Sequence, residues 1–155
     1  MTTGFDRRTE RGSDDPETIR SIAVTVDDVV TALEARQRSD TEAVLRVTPP
    51  FAGRMRARLH VVGGEGEYDD GIEPIHLRPE RFVSPDVPSV PTVDETADEL
   101  RARGEYSVDD HRAFHADVVE SWRETVREAL VGQVAVEAAA ASHAVTVKYL
   151  DGGRE

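Results

Sequence analysis

The sequence predicts one α+β domain in which antiparallel strand pairs pack beside two or three helices. Three observations carry that expectation. A helical apolar stripe runs through 108–131, a period-two alternation runs through 54–62, and strand-like and helix-like segments intermix without a repeat of fixed period. The 155 residues suit a single core, and 36 of them are Val, Leu, Ile or Phe, which lifts the chain out of the disordered class.

Residues 1–20 are polar and charged with no apolar period, and the expectation there is a mobile tail ahead of a domain over 21–150. A short tail, 151–155, closes the chain. Ser21-Ile22-Ala23-Val24 suits a strand or an extended lead-in. Thr25 then stands where a helix N-cap belongs, with Asp27 and Asp28 in the first turn to complement the positive helix end. Val26, Val29, Val30 and Leu33 give the apolar stripe of a helix that ends near Arg38.

Residues 42–48 and 54–62 are expected as two strands joined through Pro49-Pro50-Phe51-Ala52-Gly53. In the second, Met55, Ala57, Leu59 and Val61 point one way, and Arg54, Arg56, Arg58 and His60 the other. A glycine-rich acidic loop covers 63–71. The run from Ile72 to Leu77 suits a further strand, at a sheet edge because Pro74 removes a donor. Three prolines make 84–91 an extended crossing segment. Thr92 and Glu95 form a capping box for a short helix that Gly104 is suited to end near Arg103. Ser107 caps the longest helix, 108–131, with Val108, His111, His115, Val118, Val119, Trp122, Val126, Ala129 and Leu130 on one face. Strands follow at 133–137 and 144–150, and Ala138 to Ala141 fits either a helical extension or a loose connection.

Charge narrows the function classes. Lys+Arg is 19 against Asp+Glu 31, a net −12, and 18 of the 19 basic residues are Arg, Lys148 being the exception. That pattern suggests adaptation to concentrated intracellular salt, where at ~1 M the Debye length falls to about 3 Å and surface carboxylates stop repelling one another. An acidic surface disfavours nucleic acid and anionic membranes as partners. No apolar run is long enough for a membrane span, and no secretory leader is visible, so the expected location is cytoplasmic. Without cysteine there is neither a disulfide framework nor thiolate chemistry.

The stretch from Val47 to His60, with Glu95-Thr96-Ala97-Asp98 and Ser121-Trp122-Arg123, resembles a family of small acidic proteins from halophilic archaea classed as a domain of unknown function. The resemblance covers roughly residues 22–150. It implies salt adaptation and brings no catalytic residue with it.

Two constellations are candidates for chemistry. Arg54, Arg56 and Arg58 share a strand face, with Arg46 on the preceding strand and His60 next in the row; guanidiniums so placed clamp phosphates or carboxylates bidentately. In the alternative they pair with Glu42, Glu65, Glu67 or helix carboxylates. Electrostatics alone would serve nucleic acid poorly in brine: four phosphate contacts give a salt slope of about −3.6, a loss of over four decades between ~0.15 M and ~3 M. His111 and His115 stand one helical turn apart, so their rings can meet one ligand. A third ligand would have to come from His60, His76, His143 or a carboxylate, so no metal or other cofactor is expected. With Trp122 they mark a candidate pocket or interface. No phosphate-loop lysine or Gly-x-Ser-x-Gly elbow occurs. The leading expectation is a non-enzymatic module that binds a protein partner or itself; the second is an anion or nucleic-acid binder through the arginine face, and the third a histidine-based metal enzyme.

Overall fold

Ile22 and Val24 are the buried residues of a five-residue strand, and alternate burial of this kind marks a strand with one face on the core. The computed structural model describes residues 13–63, 73–138 and 141–150. Within them the chain forms β1 (Ser21–Thr25), α1 (Val26–Arg38), β2 (Ala43–Val47), β3 (Arg54–Arg56), β4 (Arg58–Val61), β5 (Ile75–Leu77), α2 (Val93–Ala102), α3 (Val108–Arg127), β6 (Gln133–Glu137) and β7 (Ser142–Leu150). Short 3₁₀ turns occupy Pro16–Thr18 and Pro79–Phe82. This is the α+β domain the sequence predicts, with three helices and two sheets.

The larger sheet has the order β3-β1-β7-β6 and the smaller the order β4-β2-β5. Antiparallel pairing joins β6 to β7 and β2 to both its neighbours, as expected. The pairing of β1 is different: it runs parallel to β3 and to β7. A second difference concerns 54–62, expected as one strand. It breaks at Ala57, which is fully buried and donates its N–H to the Ala23 carbonyl at 2.9 Å. Before the break the chain pairs with β1, and after it with β2, so one bent strand serves both sheets. Beyond the bend Leu59 and Val61 are 36% and 52% exposed, and among the described residues no strand pairs with the far side of β4.

Residues 13–20, expected within a mobile tail, are instead held to the fold. Ser13 and Phe51 exchange main-chain hydrogen bonds of 2.6 Å, Asp15 caps the turn at Pro16–Thr18, and Ile19 is wholly buried. One isoleucine in a charged stretch has no periodicity to announce it. The rest of that tail, 1–12, and the tail at 151–155 lie outside the described residues. So does 64–72, most of the acidic loop, and β5 begins one residue after Pro74 at the edge of its sheet.

The helices follow their caps. Thr25 accepts from the Asp28 N–H at 3.0 Å. Thr92 and Glu95 complete a reciprocal capping box. Gly104, at φ +75°, donates to the Arg101 carbonyl while Glu105 donates to that of Leu100, a Schellman terminus that needs the left-handed conformation glycine supplies. The longest helix ends at Arg127, four residues short of expectation. Leu130 bridges to Val83 and the Val131 N–H donates to the Phe82 carbonyl, so the main chain there is drawn into a strand-like contact instead. The alanines after β6 form a hairpin connection: Ala138 donates to the Ala141 carbonyl, with residues 139–140 outside the described set.

Trp122 belongs to the core. It is 4% exposed, and its indole N–H donates to the Pro88 carbonyl at 2.8 Å, tying α3 to the proline-rich crossing segment. The same segment is held from α1, where Gln37 accepts from the Val90 N–H at 2.7 Å. Between α1 and α3, Arg123 grips Glu34 through Nε at 3.1 Å and Nη2 at 2.8 Å. Burial pushes the Glu34 carboxyl up, but the hydrogen bonds and charges of Arg123 and Arg38 outweigh it and hold the group below its ordinary range.

Candidate anion-binding cleft

The bend at Ala57 decides where the arginine row goes. Arg58 lies opposite Arg46 in the β2–β4 register, and His76 lies opposite Arg46 from the other side. Residues directly opposite in an antiparallel pair point to the same face, so three basic side chains from three strands share one row. His60 sits one pair further along. Its ring stacks on His76 with centroids 5.4 Å apart, and Arg46 Nη1 lies 3.1 Å from its Nδ1. A cleft of about 400 Å³ opens here, lined by Arg46, Arg56, Arg58 and His60, with Thr48, Met55 and Leu59. Arg54 does not join it: that residue is exposed on β3, opposite Ser21 in the larger sheet.

The electrostatic setting separates these arginines from most of those on the helices. On or beside the helices, Arg36, Arg38, Arg101, Arg103, Arg123 and Arg127 each stand within 4 Å of a carboxylate. Among the described residues no carboxylate pairs with Arg54, Arg56 or Arg58, and Glu42 in particular pairs with none of them. Glu65 and Glu67 lie outside the described residues. The Nε of Arg56 is sealed from solvent without a hydrogen-bond acceptor. A buried guanidinium N–H without an acceptor carries a desolvation cost. Chemically, the cleft can hold carboxylate or phosphate oxygens by charge-assisted, forked hydrogen bonds, with Met55 and Leu59 offering an apolar wall.

The second constellation is a structural hub. The buried Thr96 hydroxyl of α2 lies 2.8 Å from His111 Nε2 and 2.9 Å from His115 Nδ1, with the Thr92 and Val93 carbonyls at 3.3 and 3.2 Å. One proton and two lone pairs are satisfied when the hydroxyl donates to a helix carbonyl and both imidazole N–H groups donate to its oxygen. Burial, then the charges of His111 and Arg38, push the His115 imidazole below its ordinary value. The other histidines belong elsewhere: His60 and His76 stack on the smaller sheet, and His143 Nε2 meets the Ile19 carbonyl at 2.9 Å. Among the described residues no group of three His, Cys, Asp or Glu is placed to hold a metal. Trp122 lines a groove with Pro88 and Val118 that neither imidazole lines.

Two roles went unread in the sequence. His76, weighed there only as a third metal ligand, had a signal for the basic row, standing between Ile75 and Leu77 on the polar side of a short alternation. The part of Thr96 as a hub had none, since its imidazole partners come from another helix. No helix among the described residues is long and apolar enough to cross a membrane. No curated protein and no solved structure matches the chain. The comparison with protein families does match, over residues 8–151, and the chain belongs to the family described as Domain of unknown function (DUF8009).

Proposed function

We propose that this protein is a binding module that takes an anionic partner in the cleft of Arg46, Arg56, Arg58 and His60. One observation carries the reading: in a chain of net −12, where most helix arginines are paired with carboxylates, Arg56 and Arg58 line a common cleft without one. Nearly every other surface of so acidic a molecule repels anions, so recognition is local to this cleft. The arginine-for-lysine usage suits it, since a fork specifies geometry where an ammonium supplies only charge. The same composition supports a salt-adapted, cytoplasmic protein, in which the contact works by fit at short range rather than by long-range steering.

Titration calorimetry with inorganic tripolyphosphate and with polyglutamate tests the reading. At least one of these anions is expected to bind the native chain. Replacing both cleft arginines, Arg56→Gln with Arg58→Gln, should abolish that binding, whereas Arg101→Gln with Arg103→Gln on α2 should leave it unchanged. Failure of both anions to bind the native protein, or equal binding by both double variants, would overturn it.

A further inference from the structure

We infer that the partner is polypeptide: an extended, acidic segment that adds as a strand to the outer edge of β4. The inference rests on the anion-binding reading of the cleft and names what fills it. In the β2–β4 register the Val62 N–H donates to the Glu42 carbonyl at 2.9 Å, which fixes the parity of the ladder. Main-chain groups of Arg58 and His60 therefore face β2, and those of Leu59 and Val61 face outward, where no strand lies among the described residues.

The outer edge already shows what it accepts. The Leu59 N–H donates to Asp28 Oδ2 at 3.2 Å, so a carboxylate from the first turn of α1 occupies the place where an incoming strand's carbonyl would sit. Native proteins commonly blunt an edge with a charged group in this manner. Here the blunting group is acidic while the side chains beside it are basic, so the same carboxylate also opposes an acidic newcomer.

Side chains fix the partner's pattern. On one face of β4 stand Arg58 and His60, reached also by Arg46 and Arg56 across the cleft. On the other side of the strand Leu59, which also reaches the rim of the cleft, and Val61 remain 36% and 52% exposed. A strand added to this edge places its residues directly opposite these, so acidic residues alternating with apolar ones complement both faces at once. Nucleic acid matches the arginines but neither the apolar face nor the outward main-chain groups. Main-chain hydrogen bonds and apolar contact also persist in concentrated salt, where phosphate contacts alone lose affinity.

The test uses the full chain and four probes in fluorescence anisotropy and competition: a peptide of alternating Glu and Val, the same peptide N-methylated at alternate amides, inorganic tripolyphosphate and a single-stranded oligonucleotide. The unmodified peptide should bind, and methylation on the edge-facing amides should weaken it at least about tenfold, the effect of losing one or two net hydrogen bonds. Asp28→Ala should tighten peptide binding severalfold; a merely structural role for that carboxylate would move affinity the other way. The Arg56→Gln, Arg58→Gln variant should lose the peptide. Binding of tripolyphosphate without the peptide, indifference to N-methylation, or tighter binding of a single-stranded oligonucleotide overturns the strand inference and leaves the anion cleft standing. Binding of none of these probes removes both.

Discussion

Thr96 illustrates how one residue can be fixed by partners that arrive from elsewhere in the chain. It is the buried polar residue of the described core at 2% exposure, and its hydroxyl receives two imidazoles from α3. Thr96→Val keeps the shape and removes the hub, leaving two imidazole N–H groups without their acceptor at a cost of about 1–3 kcal/mol. Thr96→Ser keeps the hydroxyl and should cost far less. The His115 ring adds a pH dependence whose sign follows from its lowered value. A group that binds its proton more weakly when folded contributes stability above its unfolded value near 6.5, and loses it as pH falls through that value toward the folded one. Urea midpoints should accordingly fall between about pH 7.5 and about pH 5.5, well above the window in which the depressed Glu34 carboxyl titrates. The slope should shrink in His115→Gln. A midpoint flat across that range, or the same slope in the variant, would show that the hub does not respond to protons.

At the scale of elements, the helices were legible and the sheets only half so. Thr25, Thr92, Ser107 and Gly104 announce helix ends through local chemistry, and each does its expected work with neighbours a few residues away. The end of α3 was not legible, because Leu130 and Val131 answer to Val83 and Phe82 rather than to their own helix. Likewise the alternation of 54–62 is real, but a period of two says nothing about which strand lies alongside, and so the change of partner at Ala57 is invisible in it. The cleft inherits both halves of that lesson: Arg46, Arg56, Arg58 and His60 could be named from the pattern, while the removal of Arg54 to the other sheet depended on the bend. Trp122 was readable as an anchor from its place mid-stripe. It locks α3 to the crossing segment through Pro88, so Trp122→Ala should cost about 3–5 kcal/mol, whereas Trp122→Phe loses chiefly the indole hydrogen bond and should cost about 1–2 kcal/mol. Chemical denaturation checks the order of the two. Equal and small losses would place the indole outside the cooperative core.

For the whole molecule the governing quantity is the excess of 31 carboxylates over 19 basic groups. The ion pairs that relieve it lie mainly on helix surfaces, such as Arg101 with Asp98 and Arg103 with Glu99, where both partners are largely exposed and each pair contributes little. The pair of Arg123 with Glu34 is better sheltered, but one pair does not offset a net charge of −12. Folding concentrates these charges in a smaller volume, so repulsion in the native state exceeds that in the unfolded chain and works against stability at low ionic strength. Salt should therefore stabilise the protein, and the form of the dependence identifies the cause. Screening acts through a length that falls from over 10 Å at ~0.05 M to a few Å at ~1 M, so most of its effect is complete by then. Strengthening of apolar burial continues to grow at higher concentration and is larger for sulfate than for chloride. Thermal unfolding followed by circular dichroism in KCl from ~0.05 to ~2 M should show a midpoint that climbs steeply at first and then flattens, with little difference between chloride and sulfate at equal ionic strength. Equal midpoints at the two ends of the series would refute charge repulsion as the limit on stability, and a steady climb that favours sulfate would assign the dependence to the apolar core instead.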